Sequence, residues 1–427
     1  MLRDTFCSSP WFHMRINNSG HYEYCRWAVK QDRNQKASIR TETPIEFFQQ
    51  GMSQIRQDLL NGETLPGCAE CHVMEQHRKV SGRQKQLLKT GVRIDHFEDS
   101  LLSSPWLLQY AQPQNFDQTP QDWQIDLGNY CNSACIFCDP GSSSRLASEF
   151  KRIGITDSMP PRAWCNDPAL LDKFLDSLRA SKNIRYLHFI GGETLITPAF
   201  RTILATLVAE GLHQEISVGF TTNLTVWDQE IVDLLVQFKE VNLGMSIECF
   251  DRLNDYVRYG GSIDLTIELA QRWLSVAQAH NWYTQLRITP TVFTIWHLVT
   301  VYQFAAQHGI AVESCNFLNE PAFLRPSVLP QEMRQTAIGR LEDWLKQIDV
   351  GTEQIVNIRS PSVVQQQIAQ DATSYVEYLK QQPDESYRLP DLAAYITKLE
   401  KSRNNCILDY LPEYENILKA AGYNHTR

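Results

Sequence analysis

Three of the chain's eleven cysteines lie close together in the stretch NYCNSACIFCDP, at Cys131, Cys135 and Cys138. Their spacing is C-x3-C-x2-C, which lets three thiolates converge on one metal group. Four thiolates normally hold an iron–sulfur cluster, so three protein ligands would leave one iron open to bind and activate a small molecule. Zinc is the alternative, because three ligands and a water form a catalytic zinc site.

The composition narrows the classes of protein to which the chain can be assigned. Its 427 residues carry a net charge of −9, which disfavours nucleic acid as a partner. The chain has no run of 18 apolar residues, and its first residues lack the pattern of a signal peptide, so we expect no membrane segment and a cytoplasmic location. In that compartment clustered cysteines act as metal ligands or catalysts more often than as disulfides, and eleven is an odd number.

Strand-like and helix-like segments alternate from residue 123 onward. Such alternation predicts an α/β fold with parallel strands and right-handed crossovers, here a partial (β/α)6 TIM-like barrel. The six predicted strands are WQIDL (123–127), IRYLHFI (184–190), ISVGFTTN (216–223), VNLGMSIE (241–248), QLRITPTV (285–292) and AVESCNFL (311–318). The helices predicted between them cover 198–211, 228–238, 263–280 and 295–309.

Polar residues whose side chains could bind a ligand or take part in catalysis lie where these strands end. Cys131 follows the first strand, Glu193 the second and Asn223 the third, while Ser246 and Glu248 end the fourth. Active sites of barrels lie at the carboxyl ends of the strands, so we expect these side chains to meet there. Ser246 and Glu248 are two apart on one predicted strand and are expected to face the same side.

The regions before and after the barrel have a different character. Residues 6–27 read as two strands joined at Asn17-Asn18-Ser19-Gly20, and residues 43–62 as a helix that starts near Pro44 and stops before Gly62. The C-terminal region is predicted to be a helical tail, with helices in PQEMRQTAIGRLEDWLKQI and LPDLAAYITKLEKSR.

The stretch CNSACIFC, with Phe137 directly before its last cysteine, and the strand end Gly191-Gly192-Glu193 together resemble the motifs of the radical S-adenosylmethionine enzymes. The resemblance covers residues 120 to 320. In that family the open iron of a 4Fe-4S cluster binds the amino and carboxylate groups of S-adenosylmethionine, and reductive cleavage gives a 5′-deoxyadenosyl radical that abstracts hydrogen. The protein holds and shields the cofactors, which carry the chemistry themselves.

The resemblance implies roles for the residues that match the family. Cys131, Cys135 and Cys138 would ligate the cluster, and the Gly191-Gly192-Glu193 strand end would receive the methionyl ammonium. The resemblance also implies cofactor contacts from Phe137 and Asn223. Ser246 and Glu248 would bind the ribose hydroxyls, and Arg287 would bind the methionyl carboxylate. The alternatives are an ordinary strand-to-helix turn at 191–193, a solvated strand end at 246–248 and a surface arginine at 287.

A second set of cysteines, Cys7, Cys25, Cys68 and Cys71, resembles the first half of the SPASM and twitch auxiliary-cluster domains, although those domains usually follow the barrel. We expect these four thiolates to hold one auxiliary 4Fe-4S cluster, with a zinc knot as the alternative. The predicted domains are an auxiliary domain at 1–110, the barrel at 111–325 and a helical region at 326–427.

Four cysteines remain outside both sets: Cys165, Cys249, Cys315 and Cys406. A buried structural thiol is the ordinary interpretation of each. Cys315 and then Cys249 lie nearest to predicted strand ends, where a thiol could return a hydrogen atom to a substrate radical. We therefore name these two as candidate catalytic hydrogen donors, with Cys406 third.

The substrate class follows only from the resemblance. Relatives with auxiliary-cluster domains most often modify ribosomally made peptides by epimerisation, cross-linking or backbone excision, so a peptide precursor is the leading expectation, with reduced flavodoxin or ferredoxin as electron donor. The alternative is a dehydrogenase or rearrangement enzyme for a sugar, aminocyclitol or nucleotide. A third hypothesis, a metal-stapled binding protein without activity, is disfavoured by the presence of both Phe137 and Glu193.

Overall fold

The structure is a computed structural model, which describes residues 2–26, 28, 37–76, 80–93, 96–104, 118–313, 318–348 and 361–424. Its strands are β1 (His13–Ile16), β2 (Tyr22–Glu23), β3 (Asp122–Asp126), β4 (Tyr186–Ile190), β5 (Ser217–Thr222), β6 (Glu240–Ser246), β7 (Tyr283–Arg287) and β8 (Ala311–Glu313). Within the described ranges these form an eight-stranded sheet in the order β2-β1-β3-β4-β5-β6-β7-β8. All recorded pairings are parallel except that of β1 with β2, so the α/β class is confirmed.

The helices described before β5 are α1 (Leu2–Thr5), α2 (Ser9–Phe12), α3 (Pro44–Glu46), α4 (Ser53–Leu60), α5 (Ala69–Gln76), α6 (Gly82–Lys89), α7 (Phe97–Leu102), α8 (Ser144–Arg152), α9 (Pro168–Ala180) and α10 (Pro198–Ala209). The remaining helices are α11 (Gln229–Leu235), α12 (Leu253–Val257), α13 (Ile263–Ala279), α14 (Leu298–His308), α15 (Gln331–Leu345), α16 (Pro361–Gln381), α17 (Leu389–Arg403) and α18 (Glu415–Ala420). None of the helices within the described ranges is long and apolar enough to cross a membrane.

The chain divides into two compact units. The first contains residues 1–129, 161–220 and 229–241, and the second contains 130–160, 221–228 and 242–427. The core of the first unit is built around β3, whose five residues are all buried. Trp123 on this strand meets the ring of Phe174 edge-on at 5.9 Å, and Phe174 in turn meets Trp164 at 5.4 Å. In the second unit Tyr302 of α14 stacks on Trp344 of α15 at 5.4 Å.

The predicted strands and helices of the barrel region are present with small shifts at their ends. β7 begins at Tyr283, two residues before its predicted start, and ends at Arg287. β6 ends at Ser246, so Glu248 lies two residues beyond the strand and not on it. The helical tail is confirmed by α15 and α17, which span the segments predicted for it.

The N-terminal region departs from the expectation of a separate cysteine-rich domain. The predicted pair of strands exists, with Arg15 opposite Glu23 across the turn. β1 also pairs in parallel with β3, where His13 lies beside Asp122, so the N-terminal strands extend the sheet. Sequence patterns could not show this pairing, because more than a hundred residues separate the two strands. The predicted boundary at 110 falls among residues 105–117, outside the described ranges.

The predicted helix at 43–62 is interrupted within its first turns. Thr43 caps α3 and accepts a hydrogen bond from the backbone N–H of Glu46 at 3.2 Å. Residues Phe47–Gly51 then form a wider π-helical turn before α4 continues to Leu60. An inserted wide turn of this kind shifts the buried face of a helix without ending it.

A buried ionic cluster ties β1, β3 and the N-terminal segment of the first unit together. Asp122 lies 2.9 Å from Arg26 Nη2, 3.2 Å from His13 Nδ1 and 3.7 Å from Lys89 Nζ. Burial alone would raise the pKa of Asp122, but the charges of Arg26 and His13 hold it well below its usual range. The carboxylate therefore stabilises the fold above the pKa of an unfolded Asp, about 4, and this contribution is lost as the pH falls below that value.

We predict that Asp122→Asn lowers the urea midpoint of unfolding at pH 7, with a loss of roughly 2 kcal/mol, because it removes the charge partner that Arg26 and His13 share at a buried carboxylate. The deficit relative to the wild type should shrink as the pH falls below about 4, because Asp122 of the unfolded wild-type chain is then protonated while the folded carboxylate is still charged. Asp176→Asn, at a carboxylate whose side chain is 74% exposed, is the control and should change little. An Asp122→Asn midpoint equal to the wild type at pH 7 would contradict this role.

Candidate functional site

The three predicted cluster ligands lie on one irregular loop of the second unit, directly before α8. The backbone N–H of Ser133 points at Cys131 Sγ at 3.4 Å, and the N–H of Cys138 donates to the carbonyl of Cys135 at 3.2 Å. Ser143, the cap of α8, donates its hydroxyl to the carbonyl of Ser133 at 2.6 Å. The loop is therefore fixed to the start of the helix that follows it.

The middle of the cysteine loop runs alongside the end of α12 and the residues directly after it. The N–H of Ala134 donates to the carbonyl of Tyr259 at 2.7 Å, and the N–H of Ile136 donates to that of Val257 at 2.9 Å. These bonds alternate along the loop as in a strand ladder, so Cys135 between them is held in a defined orientation.

Asn223 lies directly after β5 and anchors the start of the cysteine loop. Its amide nitrogen donates to Asn132 Oδ1 at 2.9 Å and to Ser133 Oγ at 3.0 Å, and lies 4.0 Å from Cys131 Sγ. Its amide oxygen accepts the hydroxyl of Thr225 at 2.6 Å. The strand-end position predicted for Asn223 thus brings it to the cysteine loop, where its bonds position the first cysteine.

A buried arginine that the sequence analysis did not identify supplies positive charge beside the three thiols. The guanidinium of Arg258 lies 5.7 Å from the centre of the Phe137 ring and donates to Glu248 Oε1 at 2.9 Å. Burial lowers the pKa of Arg258, but Cys135, Glu248 and the other loop thiols outweigh it and raise that pKa. The side chain is therefore a permanent cation next to the cysteine loop. No sequence pattern identifies Arg258, because its partner Glu248 lies ten residues earlier and no helix or strand period links the two.

Glu248 holds this arginine in place. Its second oxygen, Oε2, accepts the backbone N–H of Thr289 at 2.7 Å, and its own N–H donates to Asn254 Oδ1 at 3.1 Å. Complete burial raises the pKa of Glu248 to about 7, against the lowering effect of Arg258. Both carboxylate oxygens thus bind groups of the protein, whereas the sequence analysis assigned Glu248 to the ribose hydroxyls.

The other residues predicted at the strand ends of the second unit have protein partners as well. Ser246 is the last residue of β6 and lies beside Arg287 of β7. Arg287 Nη2 pairs with Glu313 Oε2 on β8 at 3.1 Å, and a Cβ at Gly244 would lie 2.8 Å from Arg287 Nε. Arg287 thus has a carboxylate partner across the sheet, and its proposed bond to a methionyl carboxylate stays a prediction.

The Gly191-Gly192-Glu193 strand end belongs to the first unit. The N–H of Gly192 donates to the carbonyl of Gly128 at 2.8 Å, and a Cβ at Gly191 would lie 2.9 Å from that same oxygen, so only glycine fits there. Glu193 is 1% exposed, and its Oε1 accepts the N–H of Leu195 at 3.1 Å. The glycines therefore permit a close approach to the backbone of Gly128, and Glu193 caps a short 3-10 turn, while the contact of this strand end with the methionyl ammonium stays a prediction.

The four N-terminal cysteines come together in the first unit. Burial raises the pKa of the Cys7 thiol, and nearby Cys25 and then Cys68 and Cys71 raise it further. Sγ of Cys7 accepts the backbone N–H of Ser9 at 3.4 Å. The sequence analysis grouped these four cysteines although 64 positions separate the first from the last, and the structure places them close enough to affect one another's ionisation.

The cysteine loop differs from a site for a single metal ion, but its donors suit a cluster. In the described part of the chain, no three cysteine, histidine or carboxylate side chains are arranged to hold a single metal ion. The loop at 131–138 nevertheless offers soft donors: burial raises the pKa of Cys135, and burial together with Cys135 and its neighbours raises that of Cys138. Three thiolates packed this way need positive charge, which Arg258 and an iron–sulfur cluster would provide, so the donor set fits such a cluster.

The cysteines outside the two sets have varied surroundings. Cys249 has no exposed surface, and burial raises the pKa of its thiol. The thiol of Cys165 donates to the carbonyl of Leu127 at 3.2 Å, and Cys406 lies 3.3 Å from the hydroxyl of Tyr423. Cys315, our first candidate for a hydrogen donor, lies outside the described ranges. A donor role for Cys249 or Cys315 stays a prediction.

A cavity of about 490 Å³ in the second unit borders the cysteine loop. Its wall is mainly aromatic and aliphatic, and its polar lining groups are Asp139, Glu320 and Lys398 together with Cys138. The apolar lining residues are Phe137, Pro140, Phe150, Ile155, Pro321, Phe323, Ala394 and Tyr395. The volume is within the range of ligand sites in proteins, about 300–1,000 Å³, so a compound the size of an amino-acid side chain fits beside Cys138.

We predict that Arg258→Met destabilises the protein by roughly 3 kcal/mol, because Glu248 would remain buried without its partner. The double variant Arg258→Met/Glu248→Gln should recover most of this loss in urea unfolding, since it removes both charges. The iron content after anaerobic reconstitution should stay low in the double variant, because the cation beside the thiolates is still missing. A double variant with wild-type iron content would contradict a role of Arg258 at the cysteine loop.

The cysteine loop lies within a segment that matches the model of a known family. The model of the Radical SAM superfamily matches residues 125–284. A sequence comparison with curated proteins finds no match.

Several solved structures are similar to this chain. SuiB of Streptococcus suis bound to S-adenosylmethionine is 14% identical over 70% of this chain and 64% of its own, with a TM-score of 0.35. SuiB bound to its precursor peptide SuiA is 15% identical over 66% of this chain and 60% of its own, with a TM-score of 0.36. The methyltransferase TsrM of Kitasatospora setae, with cobalamin and a 4Fe-4S cluster, is 16% identical over 48% of this chain and 37% of its own, with a TM-score of 0.33. The chain spans less than two thirds of the length of SuiB. On the strength of the family match, the chain contains a Radical SAM superfamily domain.

Proposed function

We propose that this chain is a radical S-adenosylmethionine enzyme that modifies a peptide. The observation that carries the proposal is the cysteine loop at 131–138, which lies inside the matched domain and presents three thiols beside the buried cation of Arg258. When bound, a 4Fe-4S cluster and S-adenosylmethionine would supply the reductive cleavage that leads to hydrogen abstraction from the substrate.

In this proposal the residues of the chain hold and orient the cofactors. Cys131, Cys135 and Cys138 would bind the cluster, while Asn223 fixes the start of the loop through its bonds to Asn132 and Ser133. Arg258 would offset the negative charge of the thiolates. The predicted contacts to S-adenosylmethionine are Phe137, Gly191, Gly192, Glu193, Ser246 and Arg287.

We assign the N-terminal cysteines to a second, auxiliary 4Fe-4S cluster. Cys25, Cys68 and Cys71 lie near enough to Cys7 to add to the effect of burial on the pKa of its thiol, and this proximity supports the assignment. Four protein ligands would close the coordination of such a cluster, which suits electron transfer or substrate positioning better than substrate ligation. The electron donor of this scheme is a reduced flavodoxin or ferredoxin.

The cavity beside Cys138 supports a peptide as substrate. A wall of aromatic and proline residues suits the side chain of an amino acid, and the carboxylates of Asp139 and Glu320 with Lys398 can bind polar groups of a peptide backbone. The lining offers few groups that could bind the hydroxyls of a sugar or aminocyclitol or the phosphate of a nucleotide. The reaction at the peptide would be epimerisation, cross-linking or backbone excision.

We predict that anaerobically reconstituted wild-type protein is brown and binds about eight irons, four for each cluster. Replacing Cys131, Cys135 and Cys138 by Ala should halve the iron and abolish formation of 5′-deoxyadenosine from S-adenosylmethionine. Replacing Cys7, Cys25, Cys68 and Cys71 by Ala should halve the iron and leave this cleavage measurable. A colourless protein that contains zinc at either set would contradict the corresponding assignment.

We predict that Phe323→Arg lowers the peptide-stimulated formation of 5′-deoxyadenosine at least about tenfold, since a guanidinium in an apolar wall must be hydrated or exclude the ligand. The assay compares synthetic peptides that each contain one aromatic residue with sugars, aminocyclitols and nucleotides. Tyr387→Arg, at a side chain that is 68% exposed, is the control. Stimulation by the small polar compounds alone would favour the alternative substrate class.

A further inference from the structure

One face of α17, in the C-terminal region, contacts the cysteine loop of the same unit. Tyr395 and Arg403 are eight residues apart and lie on the same side of the helix as Leu399, which is buried. The hydroxyl of Tyr395 donates to the carbonyl of Ile136 at 2.7 Å. Arg403 Nη2 donates to the carbonyl of Ala134 at 2.8 Å. Two carbonyls on either side of Cys135 are thus bound by one helix.

The backbone N–H groups of the same two residues are paired as well. The N–H groups of Ala134 and Ile136 already donate to the carbonyls of Tyr259 and Val257. Residues 134 and 136 therefore have both of their backbone polar groups paired, the carbonyls with α17 and the N–H groups with the carbonyls of Tyr259 and Val257. Cys135 lies between them, and its own carbonyl accepts the N–H of Cys138. A shift of residues 134–136 would therefore move Cys135 and, through its carbonyl, Cys138.

Arg403 is fixed by a buried ion pair. Its Nη2 lies 2.7 Å from Glu149 Oε2 of α8, with 2% and 6% of the two side chains exposed. Ser402 donates to the other oxygen of the same carboxylate at 2.9 Å. The guanidinium also lies 4.5 Å from the centre of the Tyr259 ring. The arginine thus connects α17, α8, the carbonyl of Ala134 in the cysteine loop and the ring of Tyr259.

Further contacts hold α17 in position. Glu400, which is 1% exposed, accepts the hydroxyl of Tyr256 on α12 at 2.7 Å and the N–H of Ile407 at 2.7 Å. The helix is therefore anchored independently of the bonds it makes to the loop. Because of this, removing one bond to the loop need not release the helix.

We propose that α17 sets the geometry of the cysteine loop, with Tyr395 and Arg403 as positioning residues that act through the carbonyls of Ile136 and Ala134. This inference rests on the proposed function, since it concerns the cluster that the loop would hold. Groups that orient metal ligands tune both the retention and the potential of the metal group. The C-terminal helix would thus determine how firmly the cluster is held and at what potential it accepts an electron.

The test uses full-length, reconstituted protein and two readouts other than activity. One is the rate at which iron passes from the cysteine loop to the chelator EDTA, and the other is the midpoint potential of the same cluster in a redox titration followed by electron paramagnetic resonance. Tyr395→Phe removes one hydroxyl and keeps the ring. It should speed iron release about fivefold, as expected for one neutral hydrogen bond, and shift the midpoint potential. Tyr387→Phe, at the exposed tyrosine just before α17, is the matched control and should change neither.

Arg403→Lys provides a second, independent variant, because lysine keeps the charge but cannot bind Glu149 and the carbonyl of Ala134 with one planar fork. Iron release should be faster than in Tyr395→Phe, in protein whose circular dichroism shows that it is folded. If both folded variants release iron at the wild-type rate with an unchanged potential, the inference is wrong. If the wild type itself acquires no cluster at the loop, the proposed function fails instead, and the two outcomes are distinct.

Discussion

The constraint on which the rest of the structure depends is that three thiolates must share one short, buried loop. Burial raises the pKa of Cys135 and Cys138, so the protein must offset their negative charge when they ionise. It does so with Arg258, which is itself held by Glu248 and therefore remains beside the loop. The backbone N–H and carbonyl groups of Ala134 and Ile136 are all hydrogen-bonded. The protein itself therefore fixes this part of the loop, without a metal group.

Much of this arrangement could be predicted from local patterns. The spacing of Cys131, Cys135 and Cys138 predicts a ligand triad, because it places three sulfurs on one short loop. Alternating strand and helix periods predicted β3 to β8 and the helices α10, α11, α13 and α14, since burial on a parallel sheet imposes those periods, whereas α8, α9 and α12 were not predicted. Asn223 was found because parallel strands deliver the residues at their carboxyl ends to one edge of the sheet, and its bonds to Asn132 and Ser133 show that it reaches the loop.

The parts that could not be predicted depend on partners far apart in the chain. Arg258 has no distinctive neighbours in sequence, and its importance comes only from its burial beside Phe137 and the thiols. Tyr395 and Arg403 lie more than 250 residues beyond the carbonyls to which they donate, and a carbonyl leaves no trace in the sequence. Glu248 was expected on a strand with Ser246, but the strand ends first, and the carboxylate turns to Arg258 and the N–H of Thr289.

The central claim is that the cluster at 131–138 has one iron without a protein ligand. The most direct measurement is electron paramagnetic resonance of the reduced protein in which Cys7, Cys25, Cys68 and Cys71 are replaced by Ala, so that only this cluster contributes. The account predicts that adding S-adenosylmethionine changes the g values of the signal, because the compound binds the open iron. Identical spectra with and without S-adenosylmethionine, in protein that contains four irons, would contradict it.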